Sequence, residues 1–274
     1  MVDDNPAQSS TAAADRTVLL AQPAWLARHR WAVFVVPFVV YMLGTSLEPA
    51  PPVAGEAVKA PWHGLTIAYE QYPLVYSLKI VATLVAMAVV WPGYRQFRWR
   101  VSPLAAAIGL VGAALWIALC QPPVQETLRG WFTAVGLGSM VEGGLRSGFN
   151  PLEQMKGATL LAWGFLAVRL FGMTAVVPWI EEFFHRGFLL RFLGGAEWWN
   201  IPFGTFQAKA LALSTLFFAA AHPLTELAAS LAWYSLVSWL MLRTRNIWDC
   251  VVAHSVTNFV LFVWVVSTGA WYLM

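Results

Sequence analysis

Four polar side chains interrupt an otherwise apolar stretch, PWIEEFFHRGFLL, at residues 178–190. On a helix, Glu182 and Arg186 are four residues apart and share a face, so they can form the ion pair that makes their burial tolerable. Glu181 is rotated about 100° from Glu182. It therefore lacks a cationic partner unless His185, four residues further on, serves. Each ionisable residue inside a membrane costs about 3 kcal/mol, which marks this stretch as a functional candidate.

Two later apolar stretches carry one further polar pattern each. In LFFAAAH, Phe218 and His222 are four residues apart, and Pro223 ends the helix behind the histidine. In CVVAHSVTNFV, His254 and Asn258 share one helical face. Taken singly, such a histidine is more often a hydrogen-bonded core residue, and a His/Asn pair can simply join neighbouring helices. Three polar faces on successive apolar helices favour a shared site.

Together these groups have the chemistry of a hydrolase for amide bonds that uses no nucleophilic Ser or Cys. A carboxylate shielded from water, as expected of Glu181, can take a proton from a water molecule and later return it. A nearby His222 can orient that water. His254 and Asn258 offer N–H donors for an oxyanion formed on a carbonyl.

Two alternatives compete with this interpretation. Two histidines and two glutamates are also plausible zinc ligands, although no HExxH motif is present, so we predict no metal without excluding a divalent ion. In the simpler alternative, residues 181–193 form an interfacial helix whose charges are merely hydrated.

Helix geometry brings these residues to compatible depths. If a helix over 175–193 returns as one over 207–222, Glu181 and His222 lie about 9 and 8 Å from the same side of a membrane about 30 Å thick. The helix that carries His254 starts from the opposite side of the membrane. His254 lies about seven residues into it and Asn258 one turn deeper, so both are near the midplane. We therefore expect one pocket that contains all four side chains.

The elements that must position these residues are those of a membrane protein. The 274 residues are 59% hydrophobic and only 11% charged, with a mean hydropathy of +0.61. Many of the 16 tryptophans lie near the ends of apolar runs, as membrane-interface residues do. A net charge of +3 without a basic stripe predicts no nucleic-acid partner.

The apolar runs predict an all-α, polytopic helix bundle with about seven or eight transmembrane helices. These runs are 31–47, 73–92, 103–120, 157–193, 208–222, 226–242 and 247–267. The fourth would make a helix of about 55 Å, nearly twice the hydrocarbon thickness. A break is therefore expected, at Gly172 or at Pro178.

The chain divides into three predicted parts. Residues 1–25 are a disordered polar tail, 26–156 are N-terminal transmembrane helices with a long polar loop at 121–156, and 157–274 form the core that carries the motifs. A Pro- and Gly-rich loop is expected at 49–71. The basic clusters predicted to mark cytoplasmic ends are Arg28/Arg30, Arg95/Arg98/Arg100 and Arg243/Arg245.

The ordered motifs resemble those of the CPBP family, which contains the type II CAAX prenyl endopeptidases and bacteriocin-processing or immunity proteins. That family's signature is EExxxR, FxxxH and HxxxN on three membrane helices, and this chain has EEFFHR, FAAAH and HSVTN in the same order. The resemblance covers roughly 175–260. More loosely, the length and the apolar N-terminal half are similar to CAAX protease-related proteins found beside bacterial exosortase systems.

The resemblance implies a membrane-embedded, metal-independent glutamate protease. Glu181 and His222 would activate water, while His254 and Asn258 would line the oxyanion site. Glu182 and Arg186 would be chiefly structural, as their spacing indicates independently. The family pattern leaves the position of His185 free.

Our leading hypothesis is an intramembrane endopeptidase, integral to the cell membrane, that cleaves near the C-terminus of a membrane-anchored or lipidated protein. The alternative is a non-catalytic relative that acts in peptide immunity, escort or secretion. A proton-coupled transporter is a third possibility, since buried Glu and His also relay protons. Sidedness stays open: the two-helix geometry puts Glu181 nearer the outer face, whereas the resemblance implies action from the cytosolic side.

Overall fold

The computed structural model describes residues 23–51, 64–141 and 148–274, and these contain helices and turns but no strand. This confirms the predicted all-α fold class. The helices are α1 (Ala24–Arg28), α2 (Ala32–Thr45), α3 (Tyr72–Val89), α4 (Trp91–Tyr94), α5 (Pro103–Leu119), α6 (Pro122–Ala134), α7 (Pro151–Gln154), α8 (Thr159–Gly194), α9 (Ala208–Ala220), α10 (Leu227–Thr244) and α11 (Ile247–Thr268).

Several of these helices are suited to a bilayer. Within the described residues, three helices are long and apolar enough to cross a membrane: α8, α11, and α3 with its preceding turn. The helices α5 and α6 pass the same test only as a pair, which is bent by 63°. Large apolar side chains such as Leu78, Leu110 and Leu160 face outward, as lipid-facing residues do. The chain is therefore a membrane protein, while the number of seven or eight spans stays a prediction.

The break expected in the fourth apolar run is absent, and that prediction is wrong. Helix α8 is continuous over 36 residues, Thr159–Gly194. Its irregularity is a π-helical segment, Gly172–Val176, which starts at one predicted break point and ends just before the other, Pro178. A π-helical turn accommodates one extra residue without interrupting the helix, so the chain absorbs the proline there. A second π-helical segment covers Phe183–Leu189.

The segment 121–156, predicted as a polar loop, contains helices α6 and α7 and a 3₁₀ turn at Gly138–Met140. Pro122 and Pro151 begin the two helices, where a missing N–H costs nothing. Of the predicted tail, residues 1–22 lie outside the described residues, whereas α1 already begins at Ala24. Residues 52–63 of the predicted 49–71 loop also lie outside them.

The three basic clusters lie at one end of the bundle, which we call the basic end. The turn between α10 and α11 is fixed there by Asn246, whose side chain caps α11 and donates to the Arg100 carbonyl at 2.6 Å. Phe97, beside that cluster, packs its ring edge-on to Phe34 near the start of α2. A common end is what a shared cytoplasmic side requires.

Helix α11 is held against α5 by small residues. A β-carbon at Gly109 would lie 2.6 Å from the Ala253 carbonyl oxygen, so only glycine allows this approach. The Thr257 hydroxyl then donates to the Gly109 carbonyl oxygen at 2.9 Å. This packing fixes the rotation of α11 and turns the face bearing His254 and Asn258 toward the interior.

Candidate active site

A cavity of about 700 Å³ lies inside the bundle, where α2, α3, α8 and α11 approach one another. Glu181, His222, His254 and Asn258 all line it. The expectation that these four side chains share one pocket is therefore confirmed. They come from α8, the turn after α9, and α11.

Glu182 is the centre of a buried polar cluster beside this cavity. Its side chain is 1% exposed and accepts a hydrogen bond from the guanidinium of Arg186, which is fully buried. The predicted ion pair is thereby confirmed, and a hydrated interfacial helix is excluded. The other carboxylate oxygen, Oε1, accepts a hydrogen bond from Nδ1 of His254 at 3.0 Å. The sequence did not predict this contact between α8 and α11.

Glu181 has a different environment, although it is the next residue. Its carboxylate lines the cavity and makes no hydrogen bond or ion pair with any described residue. His185 does not supply the partner considered for it. That imidazole sits among aromatic rings, including Phe38 and Phe218, and its buried Nδ1 has no hydrogen-bond partner in the described part of the chain.

The FxxxH motif has a direct structural explanation. Nδ1 of His222 donates to the Phe218 carbonyl oxygen at 2.9 Å, which assigns the proton to that nitrogen because a carbonyl can only accept. The neutral ring then has its acceptor at Nε2. The Phe218 ring lies between His222 and Trp233, with centroid distances of 4.6 and 5.4 Å. Spacing and aromatic packing together orient the histidine.

The HxxxN motif is oriented from α8. Because Val177 N–H donates to the Gly172 carbonyl in the π-helical segment and Pro178 has no N–H, the Met173 carbonyl can take a donor from outside the helix. The Asn258 amide supplies it, at 2.8 Å from Nδ2 to the Met173 oxygen. Its second N–H remains for the cavity.

The sequence analysis missed three charged residues that line the same cavity farther along. Lys79 on α3 is buried and forms an ion pair with Glu48. Arg169 on α8 is 4% exposed, and its Nη1 donates to the Phe149 carbonyl at 2.8 Å. An isolated charge inside an apolar run was the only signal that could have revealed Lys79 and Arg169.

Metal-ligating residue types are present at this site but are dispersed in the described part of the chain. No three His, Cys, Asp or Glu side chains in the described ranges are grouped closely enough to hold a metal ion. The two glutamates considered as zinc ligands have separate environments, since Glu182 is already bonded to Arg186 and His254. The absence of a cofactor stays a prediction.

The sequence model of the family described as type II CAAX prenyl endopeptidase Rce1-like matches residues 162–260. The match extends from α8 into α11 and contains all three motifs. It confirms the resemblance to these CPBP-family endopeptidases, which as a family are CAAX-type intramembrane proteases. No curated protein and no solved structure matches the chain. The exosortase-associated subgroup stays a prediction.

Proposed function

We propose that this membrane protein is an endopeptidase that hydrolyses a peptide bond near the C-terminus of a membrane-anchored or lipidated protein. The observation that carries the proposal is the unpaired Glu181 carboxylate, which faces a cavity also lined by His222, His254 and Asn258. The family match over 162–260 supports the same reaction class and a membrane-anchored substrate.

The first step is activation of water. Glu181 accepts one proton from a water molecule while Nε2 of His222 accepts a hydrogen bond from the same water and orients it. The water oxygen attacks the carbonyl carbon, a C–O bond forms, and the carbonyl electron pair moves onto oxygen. Because Glu181 has no ion pair to break, its basicity is available for this step.

The second step is stabilisation and collapse of the oxyanion. The remaining N–H of Asn258 is one donor. His254 donates a hydrogen bond from Nδ1 to Glu182, and this contact orients the ring toward the cavity beside Asn258. The C–N bond then breaks, and the proton held by Glu181 passes to the leaving amine.

The position of the site supports action from the side of the basic end. His254 is in the first half of α11, which begins at that end and runs over Ile247–Thr268. Phe183, next to Glu182, packs on Trp248 in the first turn of α11, with ring centroids 5.5 Å apart. With the basic clusters in the cytoplasm, the peptide bond would be cut nearer the cytosolic face, in contrast to the outer-face geometry considered from sequence.

The test is comparative proteomics of cells that carry the wild type, Glu181→Gln or Glu153→Gln. Glu153 is an exposed residue of α7 and serves as the matched control. We expect at least one membrane protein to accumulate with an uncleaved C-terminus in Glu181→Gln only, with the processing rate reduced by about 10²–10⁴-fold, the usual contribution of a general base. Unchanged processing and full biological activity of Glu181→Gln would instead favour the non-catalytic alternative.

A further inference from the structure

Arg169 is a buried cation that has no carboxylate partner among the described residues. Its side chain lines the cavity, and its one hydrogen bond within the described ranges goes to the neutral Phe149 carbonyl. The other cavity-lining cation of the described chain, apart from histidines, is Lys79, which is paired with Glu48. Arg186, on the same helix as Arg169, is paired with Glu182. Arg169 is thus the exception among the buried cations around this cavity.

Burying a guanidinium without an opposite charge costs free energy of folding. A buried arginine is therefore normally paired with a carboxylate of the same protein. A planar guanidinium holds several N–H donors in a fork that matches a carboxylate. Among the described residues only Nη1 has a hydrogen-bond partner, so the fork has capacity for an oxyanion that enters the cavity.

The surroundings of Arg169 are aromatic. Its guanidinium carbon lies 5.9 Å from the Tyr72 ring centroid, and the Phe149 ring stacks on Tyr72 at 4.9 Å. The hydroxyl of Tyr76 donates to the backbone carbonyl of Arg169 at 3.4 Å. A site with one unpaired cation in an aromatic wall, beside the Lys79–Glu48 ion pair, suits an anion carried by an apolar residue better than a small hydrated ion.

The π-helical segment brings Arg169 and Glu181 to the same cavity. In a regular α-helix, twelve residues place two side chains about 120° apart. One additional residue in the turn at Gly172–Val176 makes the spacing equivalent to about eleven residues, close to three full turns. The two groups then share a face, separated by about 16–18 Å along the axis.

We infer that Arg169 is the carboxylate-binding subsite of this cavity and holds the C-terminal α-carboxylate of the peptide that Glu181 cleaves. An extended peptide covers about 3.3 Å per residue, so about five residues bridge the two groups. The bond cut therefore lies within about five residues of the C-terminus. The position of the cleaved bond rests on the proposed function, whereas carboxylate binding at Arg169 does not depend on it.

The test measures binding in a variant that does not cleave. Glu181→Gln is reconstituted in phosphatidylcholine nanodiscs and titrated with a fluorescent peptide, S-farnesylcysteine followed by four valines and a leucine, so that the bond after the cysteine lies five residues from the C-terminus. The peptide is made as the free acid and as the C-terminal carboxamide. We expect the acid to bind about tenfold or more tightly than the amide, and the difference to disappear in Glu181→Gln with Arg169→Met.

The matched control is Arg191→Met in the same background. Arg191 is on α8 outside the cavity, and its guanidinium stacks on Trp198 and bonds to backbone carbonyls, so it should leave the selectivity intact. Equal binding of acid and amide, binding of neither, or selectivity that survives Arg169→Met overturns the inference. The acid–amide comparison without Arg169→Met tests it even if that variant does not fold.

Two further arms separate related outcomes. Adding phosphatidylglycerol tests a lipid phosphate as the ligand: loss of acid selectivity in its presence would assign Arg169 to lipid and overturn the peptide assignment. Cleavage of the free-acid peptide by wild-type protein is followed separately. Acid-selective binding without cleavage would refute the proposed endopeptidase activity but support the carboxylate subsite. Cleavage without acid selectivity would support the endopeptidase activity but refute the subsite.

Discussion

Two groups of charged residues lie along α8, and they differ in how their charges are compensated. In the Glu182 cluster, Arg186 and His254 are each bonded to one oxygen of the Glu182 carboxylate, and all three residues are buried. Along the cavity, Glu181 and Arg169 have no opposite charge in direct contact within the described chain. In the first group the opposite charges are paired by the fold itself, whereas the second leaves one base and one cation facing the cavity. In an apolar bundle, these unpaired charges are the basis for the ligand site that we propose.

Separate substitution of the two adjacent glutamates by glutamine gives the largest expected difference in the free energy of unfolding. Glu182→Gln leaves Arg186 as an uncompensated buried charge, so we expect the free energy of unfolding to fall by about 3–5 kcal/mol. Glu181→Gln breaks no ion pair and should change it by less than about 1 kcal/mol. Denaturation of the purified variants in mixed detergent micelles measures both. Equal losses would mean that the two environments are not distinct.

A smaller effect is expected from the ion pair at the other end of the cavity. Glu48→Gln removes the carboxylate from Lys79, but that ammonium keeps the Thr45 hydroxyl at 3.3 Å and the Tyr41 ring at 4.2 Å. The expected loss of unfolding free energy is about 1–3 kcal/mol. Glu70→Gln, an exposed change in the turn before α3, is the control and should be neutral. A loss as large as that of Glu182→Gln would show that Lys79 has no adequate second partner.

The smallest effect concerns the link between α11 and the π-helical segment. Asn258→Ala removes one interhelical hydrogen bond, which is worth about 0.6 kcal/mol on average in membrane proteins. Cleavage should fall much more than stability, because the oxyanion loses a donor worth about 10²–10³-fold. Ser267→Ala, on the exposed end of the same helix, is the control. If the cleavage rate falls only in proportion to the loss of stability, Asn258 has a packing role and is not an oxyanion donor.

Much of the site could be predicted because each motif is local. The four-residue spacings of Glu182 with Arg186, Phe218 with His222, and His254 with Asn258 follow from one helical turn. The structure has those pairs on helices or at a helix end, and the ion pair is formed. Apolar composition likewise predicted the all-α membrane fold.

The remaining features depend on contacts between distant segments or on irregular backbone. The bond from His254 to Glu182 joins residues 72 apart, and no local pattern specifies it. Helix α6 was predicted as loop because its PPVQETLRGWFTA sequence is too polar for a membrane run, yet its prolines begin a helix. The expected break in α8 overlooked that a π-helical turn can accommodate Gly172 and Pro178 without ending the helix.

The π-helical segment also has a consequence for the gene. Loss of one codon within Gly172–Val176 would restore regular α-helix and would still leave Arg169 and Glu181 on one face, because eleven α-helical residues cover the same rotation as the present twelve with their π-helical turn. Such a deletion would leave the reading frame, the motifs and the hydropathy profile intact. In comparisons between related genes, a one-residue gap at this point therefore marks proteins that keep the faces of this helix but lack the π-helical turn that frees the Met173 carbonyl for Asn258.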